Sequence, residues 1–89
     1  MYKVVFTNRF KKDYKLCMKR RLPVDQLHDI VNQLQKGDEL EAKHRNHILS
    51  GNYAKCMECH IQPDWLLVYE IVGNELYLLR TGTHADLFK

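Results

Sequence analysis

Two apolar runs, at 65–69 and 76–79, are separated by a polar break that contains Gly73-Asn74, and this arrangement constrains the chain more than any other feature. Glycine and asparagine tolerate the positive φ that a two-residue hairpin loop needs, so the pair predicts strands over about 65–72 and 75–81 joined by a tight turn. Another alternating stretch, at about 53–61, precedes them, and strands joined this closely pair antiparallel. Near the start, Tyr2, Val4 and Phe6 alternate with Lys3 as in a first strand. Thr7 or Asn8 can cap a helix over about 8–20, with Phe10, Tyr14 and Cys17 on its buried face. A second helix has Pro23 in its first turn, Leu27, Ile30, Val31 and Leu34 on one face, and Gly37 at its end. The polar stretch 37–52 reads as a loop. The predicted fold class is α+β, in the order β-α-α-β-β-β, with two helices packed on a small, mainly antiparallel four-stranded sheet. The place of the first strand in that sheet is left open.

At 89 residues the chain supports one domain, 1–89, and leaves no room for a cofactor domain. With 45% apolar and 28% charged residues it reads as an ordinary globular protein, and a mean hydropathy of -0.48 argues against membrane insertion. Its longest apolar runs fall far short of the roughly 20 residues that span a bilayer. Residues 1–4 show no basic stretch leading into an apolar segment, so a cytoplasmic location is expected. The net charge is only +3, but seven of the 14 Lys and Arg lie between Arg9 and Arg21 against one acid, Asp13. One such charge is no more than a solvated helix face. Together, Arg9, Lys11, Lys12, Lys15, Lys19, Arg20 and Arg21 form a cationic stripe suited to phosphate backbones or an acidic partner.

Cys56-Met57-Glu58-Cys59-His60 matches the C-x-x-C-H pattern of covalent haem attachment, and His44 with His47 could complete a zinc set. Haem attachment of this type implies export, which residues 1–4 do not signal, and a pocket that an 89-residue sheet protein can hardly spare, whereas strand geometry speaks against zinc. Residues three apart on a strand point to opposite faces, and no glycine or proline lies between Cys56 and Cys59 to turn the chain. Free cysteines, no haem, no zinc, no other metal and no cofactor are expected. The same alternation places Tyr53, Met57, Cys59 and Ile61 on the more apolar face of the strand, and Ala54, Cys56, Glu58 and His60 on the other.

The segment Arg80-Thr81-Gly82-Thr83-His84-Ala85-Asp86-Leu87-Phe88 supplies a cation, an imidazole and an aromatic ring, which suit holding a phosphate, moving a proton and stacking on a base. Thr83 with Asp86 reads as a capping box that opens a helical turn, with His84 in its first positions beside free backbone N–H groups. His47 and His60-Ile61-Gln62-Pro63-Asp64-Trp65 add further proton-handling groups. The turn after one strand and the end of the last can lie at the same end of an antiparallel sheet, so one cleft can collect them. Metal-free RNA cleavage is the chemistry these residues suggest.

Asn46-His47-Ile48-Leu49-Ser50-Gly51, the string from His60 to Tyr69 and the segment from Arg80 to Phe88 resemble, in order and spacing, the YafQ branch of the RelE/ParE toxin superfamily. The resemblance is close over the second half of the chain and extends to the first half in helix length and order. Its departures are Ile48, where a proline is common, and the Cys56/Cys59 pair. The resemblance implies a ribosome-dependent mRNA endonuclease, the toxin of a type II system, held inactive by a DinJ-like antitoxin. It also implies a catalytic set of His47, His60, Asp64 and His84. Arg80 would stabilise phosphate charge, and Trp65 and Phe88 would shape or stack in the mRNA site. Metal-free cleavage uses the RNA 2′-hydroxyl as nucleophile, with His84 as general acid and either Asp64 or His60 as base. Arg9, Lys11, Lys12, Lys15 and Lys19 are candidates for contacts with antitoxin or ribosomal RNA. The rival readings are a ParE-like toxin that cuts no RNA, an RNA- or protein-binding module, and a zinc or haem protein.

Overall fold

The computed structural model describes residues 1–49 and 55–88. Its elements are β1 (Lys3–Phe6), α1 (Asn8–Lys19), α2 (Val24–Lys36), a 3-10 turn (Ala42–His44), β2 (His47–Ile48), β3 (Met57–Gln62), β4 (Trp65–Val72), β5 (Glu75–Gly82) and α3 (His84–Leu87). They form one sheet in the order β1-β5-β4-β3-β2, in which β1 runs parallel to β5 and every other pair is antiparallel.

Local signals set most boundaries. Thr7 caps α1 by accepting the Phe10 N–H at 3.2 Å, and Gly37 ends α2 with φ of 81°, the left-handed conformation that glycine adopts without strain. Gly73, with φ of 58°, turns β4 into β5 as the hairpin signal requires. Two expectations need correction. The sheet has five strands among the described residues, because part of the predicted loop, His47–Ile48, pairs with Glu58 and Met57. β3 starts at Met57 rather than 53: Lys55 has φ of 75°, which interrupts an extended run, and residues 53 and 54 lie outside the described residues.

The two faces of the sheet are covered unequally. On one, Phe10 and Cys17 of α1 and Leu27, Ile30 and Leu34 of α2 pack on Cys59, Ile61, Leu67, Tyr69, Leu76 and Leu78. Burying each such side chain contributes roughly 1.5–3 kcal/mol, which makes this layer the main source of stability. The other face carries a smaller cluster of Leu66, Val68 and Leu87, with Leu49, Cys56 and Leu79 at its margin. His47, Glu58, His60 and Glu70 share that face by register, with Val72 exposed at its far end.

Candidate active site

Strand register assembles the site. His47 lies opposite Glu58, Glu58 opposite Val68, and Val68 opposite Arg80, so these four form a row across β2 to β5. Cross-strand partners share a face, which places His47, Glu58 and Arg80 on the side away from α1 and α2. His60, Leu66 and Gly82 form the adjacent row on the same side. With strands about 4.8 Å apart, the backbones of Glu58 and Arg80 stand about 10 Å from each other. α3 then returns the chain over this face, where Leu87 joins Leu66 and Val68.

Three imidazoles follow one another across the site. The His47 and His60 ring centroids are 6.3 Å apart, and those of His60 and His84 are 5.7 Å apart. His47 Nδ1 donates to the Arg45 carbonyl at 2.6 Å, and His60 Nδ1 donates to the Pro63 carbonyl at 3.1 Å. A carbonyl only accepts, so both rings carry hydrogen on Nδ1 and turn Nε2 inward. Glu58 stands between them, 5% exposed, with Oε1 3.2 Å from His47 Nε2 and 3.7 Å from His60 Nε2. Glu58 Oε2 is buried without a hydrogen-bond partner among the described residues, a costly arrangement of the kind found at functional sites.

The third imidazole has its own carboxylate. Asp64 Oδ1 accepts the His84 backbone N–H at 3.0 Å and His84 Nδ1–H at 2.6 Å, and these bonds hold the Asp64 carboxyl below its ordinary range. His84 Nε2 thereby becomes the outward-facing proton site. The expected capping box forms: Asp86 N–H donates to Thr83 Oγ1 at 3.2 Å, and Thr83 N–H donates to Asp86 Oδ2 at 2.9 Å. Arg20, at the end of α1, grips the same Asp86 carboxylate through two bonds, of 2.6 and 3.2 Å. Arg20 and the Thr83 N–H hold the Asp86 carboxyl far below the ordinary carboxylate value.

The structure brings His47, His60, Asp64 and His84 to one face of the sheet; Arg80 starts from that face by register, but its guanidinium turns to α1. Arg80 is anchored there by Asp13, with Nε donating to Oδ2 at 2.6 Å. Phe88 follows α3 and is 41% exposed. Trp65 differs from the expectation of base stacking: it is 2% exposed in the helix-side core, and its indole N–H donates to Thr81 Oγ1 at 2.9 Å. No face of its ring is open to a base. Arg9, Lys11, Lys12, Lys15 and Lys19 are exposed on α1, which packs on the opposite face of the sheet from the histidines, and Arg9 also lies 3.8 Å from Asp13. Cys59 is buried in the helix-side core, where burial pushes its thiol up to about 12, whereas Cys56 packs with Leu66 and Val68 on the other side. The two sulfurs therefore lie on opposite faces.

Three participants were missed from sequence. Glu58 shares its face with His60 by alternation, and that was its available signal. Asp13 was visible as the one acid in a basic helix. His44, whose Nδ1 donates to the His60 carbonyl at 2.7 Å and so holds the end of β3, gave no signal beyond its type.

A sheet with α1 and α2 on one side and three imidazoles with two carboxylates on the other is a small α+β scaffold whose open face is suited to acid/base chemistry. Residues 2–89 match the sequence profile of the "Bacterial toxin of type II toxin-antitoxin system, YafQ". The chain therefore belongs to the YafQ family of type II toxin–antitoxin toxins. The mRNA interferase toxin YafQ of Escherichia coli K12 is 33% identical over 86 residues, covering 96% of this chain and 94% of that protein. The crystal structure of YafQ from E. coli BL21(DE3) matches with a TM-score of 0.94 at 30% identity, covering 100% of both chains. That of the E. coli DinJ–YafQ complex matches at 0.91 and 31% identity, again with 100% coverage of both.

Proposed function

We propose that this chain is a cytoplasmic, ribosome-dependent mRNA endonuclease, restrained by a DinJ-like antitoxin. The observation that carries the reading is the convergence of His47, His60 and His84, with Asp64 and Glu58, on the less covered face of the sheet. The family, the mRNA interferase name of the E. coli relative and the DinJ partner in its complex all support it.

In this mechanism the RNA 2′-hydroxyl attacks the adjacent phosphorus, leaving a 2′,3′-cyclic phosphate and a free 5′-hydroxyl. His84, oriented through Nδ1 by Asp64, delivers a proton from Nε2 to the departing 5′-oxygen. Asp64 is committed to His84 through both of its bonds, which favours His60 as the base: its Nδ1 is tied to Pro63 and its Nε2 is turned inward. His47, held within 3.2 Å of Glu58, positions the substrate, and Arg80, held by Asp13, stabilises phosphate charge from the margin of the site. Phe88 is placed to stack on a base, and Trp65 shapes the site from beneath the sheet. The basic residues of α1 serve the antitoxin and ribosomal RNA.

The deciding experiment incubates the purified chain with programmed ribosomes and maps new 5′-hydroxyl ends on the mRNA. Cleavage that needs ribosomes, continues in chelator and stops on adding a DinJ-like antitoxin is the expected result. A folded chain that cuts no mRNA on ribosomes would sink the proposal.

A further inference from the structure

Two polar residues of α1 reach the segment that carries the site, and nothing in the mechanism above uses them. Asp13 and Arg20 are seven positions apart, two helical turns, so they project from the same side of α1 about 10 Å from each other. Asp13 receives Arg80 Nε at 2.6 Å, Arg80 Nη2 at 3.4 Å and the Thr81 N–H at 3.2 Å. Arg20 grips Asp86 through both guanidinium nitrogens, and Asp86 in turn holds the Thr83 N–H. Between these anchors lies Gly82, with φ of 155°, where a Cβ would meet Asp86 Oδ2 at 2.9 Å. Segment 81–83 is thus gripped by one carboxylate before the glycine and another after it.

Exposed ion pairs usually contribute little, and the Arg20–Asp86 pair is partly exposed. What sets these two apart is that each carboxylate binds a backbone N–H as well as a guanidinium, so each fixes the direction of the main chain. That direction aims Arg80 before the turn and His84 after it.

We infer that α1 is a brace for the site: Asp13 positions Arg80, and Arg20, acting through Asp86, positions His84. The inference rests on the reading of Arg80 and His84 as catalytic residues. Asp13, Arg20 and Asp86 are positioning residues, since none needs to touch RNA. A partner that drew Arg20 away from Asp86 would release the turn that carries His84, which makes this end of α1 a control point as well as a charged surface.

Arg20→Gln, Asp86→Asn and Asp13→Asn test it in the full-length chain. Asp86→Asn retains a side-chain oxygen for the Thr83 N–H and removes the charge, so the turn itself survives. In the ribosome assay each variant should lose about 10²-fold in kcat, the scale of a small misplacement of reacting groups, while KM is unchanged. Arg20→Gln should cost nothing further in an Asp86→Asn background, because the two act through one contact, and Arg20→Lys should recover part of the rate. In parallel, NMR of the isolated chain should show the His84 ring resonances moving in Arg20→Gln and Asp86→Asn as its bond to Asp64 loosens. Folded variants with wild-type kcat and unmoved His84 resonances would overturn the brace. If the wild-type chain cut no mRNA, the enzymatic proposal would fall, while the His84 resonances would still decide whether α1 positions that ring.

Discussion

The two faces of this sheet are made by the same strands and do opposite work. Along β3, Cys59 and Ile61 go into a layer sealed by two helices, while Glu58 and His60, one residue out of phase, meet other polar groups under partial cover. The sealed face holds apolar groups packed at crystal-like density, where deleting a methyl group is felt as lost stability. The open face stores an unpartnered buried oxygen on Glu58 and three imidazoles a ring's width apart, which stability alone would not select. The difference teaches that the scaffold and the reagent can be adjacent residues, and that mutating each should damage a different property.

The largest effect expected from that division is on chemistry. His84→Ala should lower ribosome-dependent cleavage by ~10²–10⁴-fold with the melting transition and antitoxin affinity intact, measured on the same preparation. Across the sheet, Leu67→Ala should do the reverse: a loss of about 2–5 kcal/mol in denaturant unfolding, with kcat preserved in the molecules that remain folded. A variant that changed both properties equally would erase the distinction between the faces.

Glu58→Leu sharpens it further. Removing an unsatisfied buried carboxylate oxygen should hold or raise the unfolding free energy, by up to about 1–3 kcal/mol, while cleavage falls because His47 and His60 lose the carboxylate that stands between them. A destabilised, active Glu58→Leu protein would contradict this account. Phe88→Ala should cost about 1–3 kcal/mol of substrate binding if its exposed ring stacks on a base, read as a rise in KM with little change in melting.

The smallest effect expected is in acid. The folded-state carboxyl of Asp86 lies far below its ordinary 3.8, so it contributes stability that is complete above about pH 4 and is lost as the pH falls through the folded value. Asp64 is depressed in the same direction, but it is exposed and screened. Melting curves from neutral pH down to about 3 should therefore fall more steeply for the wild type than for Asp86→Asn. Parallel profiles would show that the Arg20–Asp86 pair carries no such linkage.

What could be read in the sequence was whatever local chemistry decides. Gly73-Asn74, Gly37 and the Thr83–Asp86 box each act within a few residues and stand where they were placed, and of the two candidate caps for α1, Thr7 and Asn8, Thr7 is the one used. The alternation of β3 sorted Cys59 from Glu58 and His60 for the same reason. β2 escaped notice because His47 and Ile48 have no strand pattern of their own and become extended only by pairing with Glu58 and Met57. Trp65 was given a place in the mRNA site, to shape it or to stack, by the resemblance alone. Only the buried Thr81 hydroxyl that accepts its N–H shows why it points inward. The sequence left open whether Asp64 or His60 is the base, since the bonds that tie Asp64 to His84 depend on where α3 lands.

The parallel pairing of β1 with β5 carries a consequence for how this molecule comes into being. Thr7 Oγ1 donates to the carbonyl of Leu78, 71 positions away, and Val4 lies beside Leu76. Closing so large a loop costs entropy that no local contact repays, so β1 has no partner until β5 exists. On a nascent chain the opening strand must wait, unpaired, through the synthesis of both long helices and the β3–β4 hairpin. Residues 80–84, which follow the pairing segment of β5, emerge after it. A polypeptide still attached to its own ribosome can complete its scaffold only when its reactive groups are also nearly made, so assembly and activity arrive together.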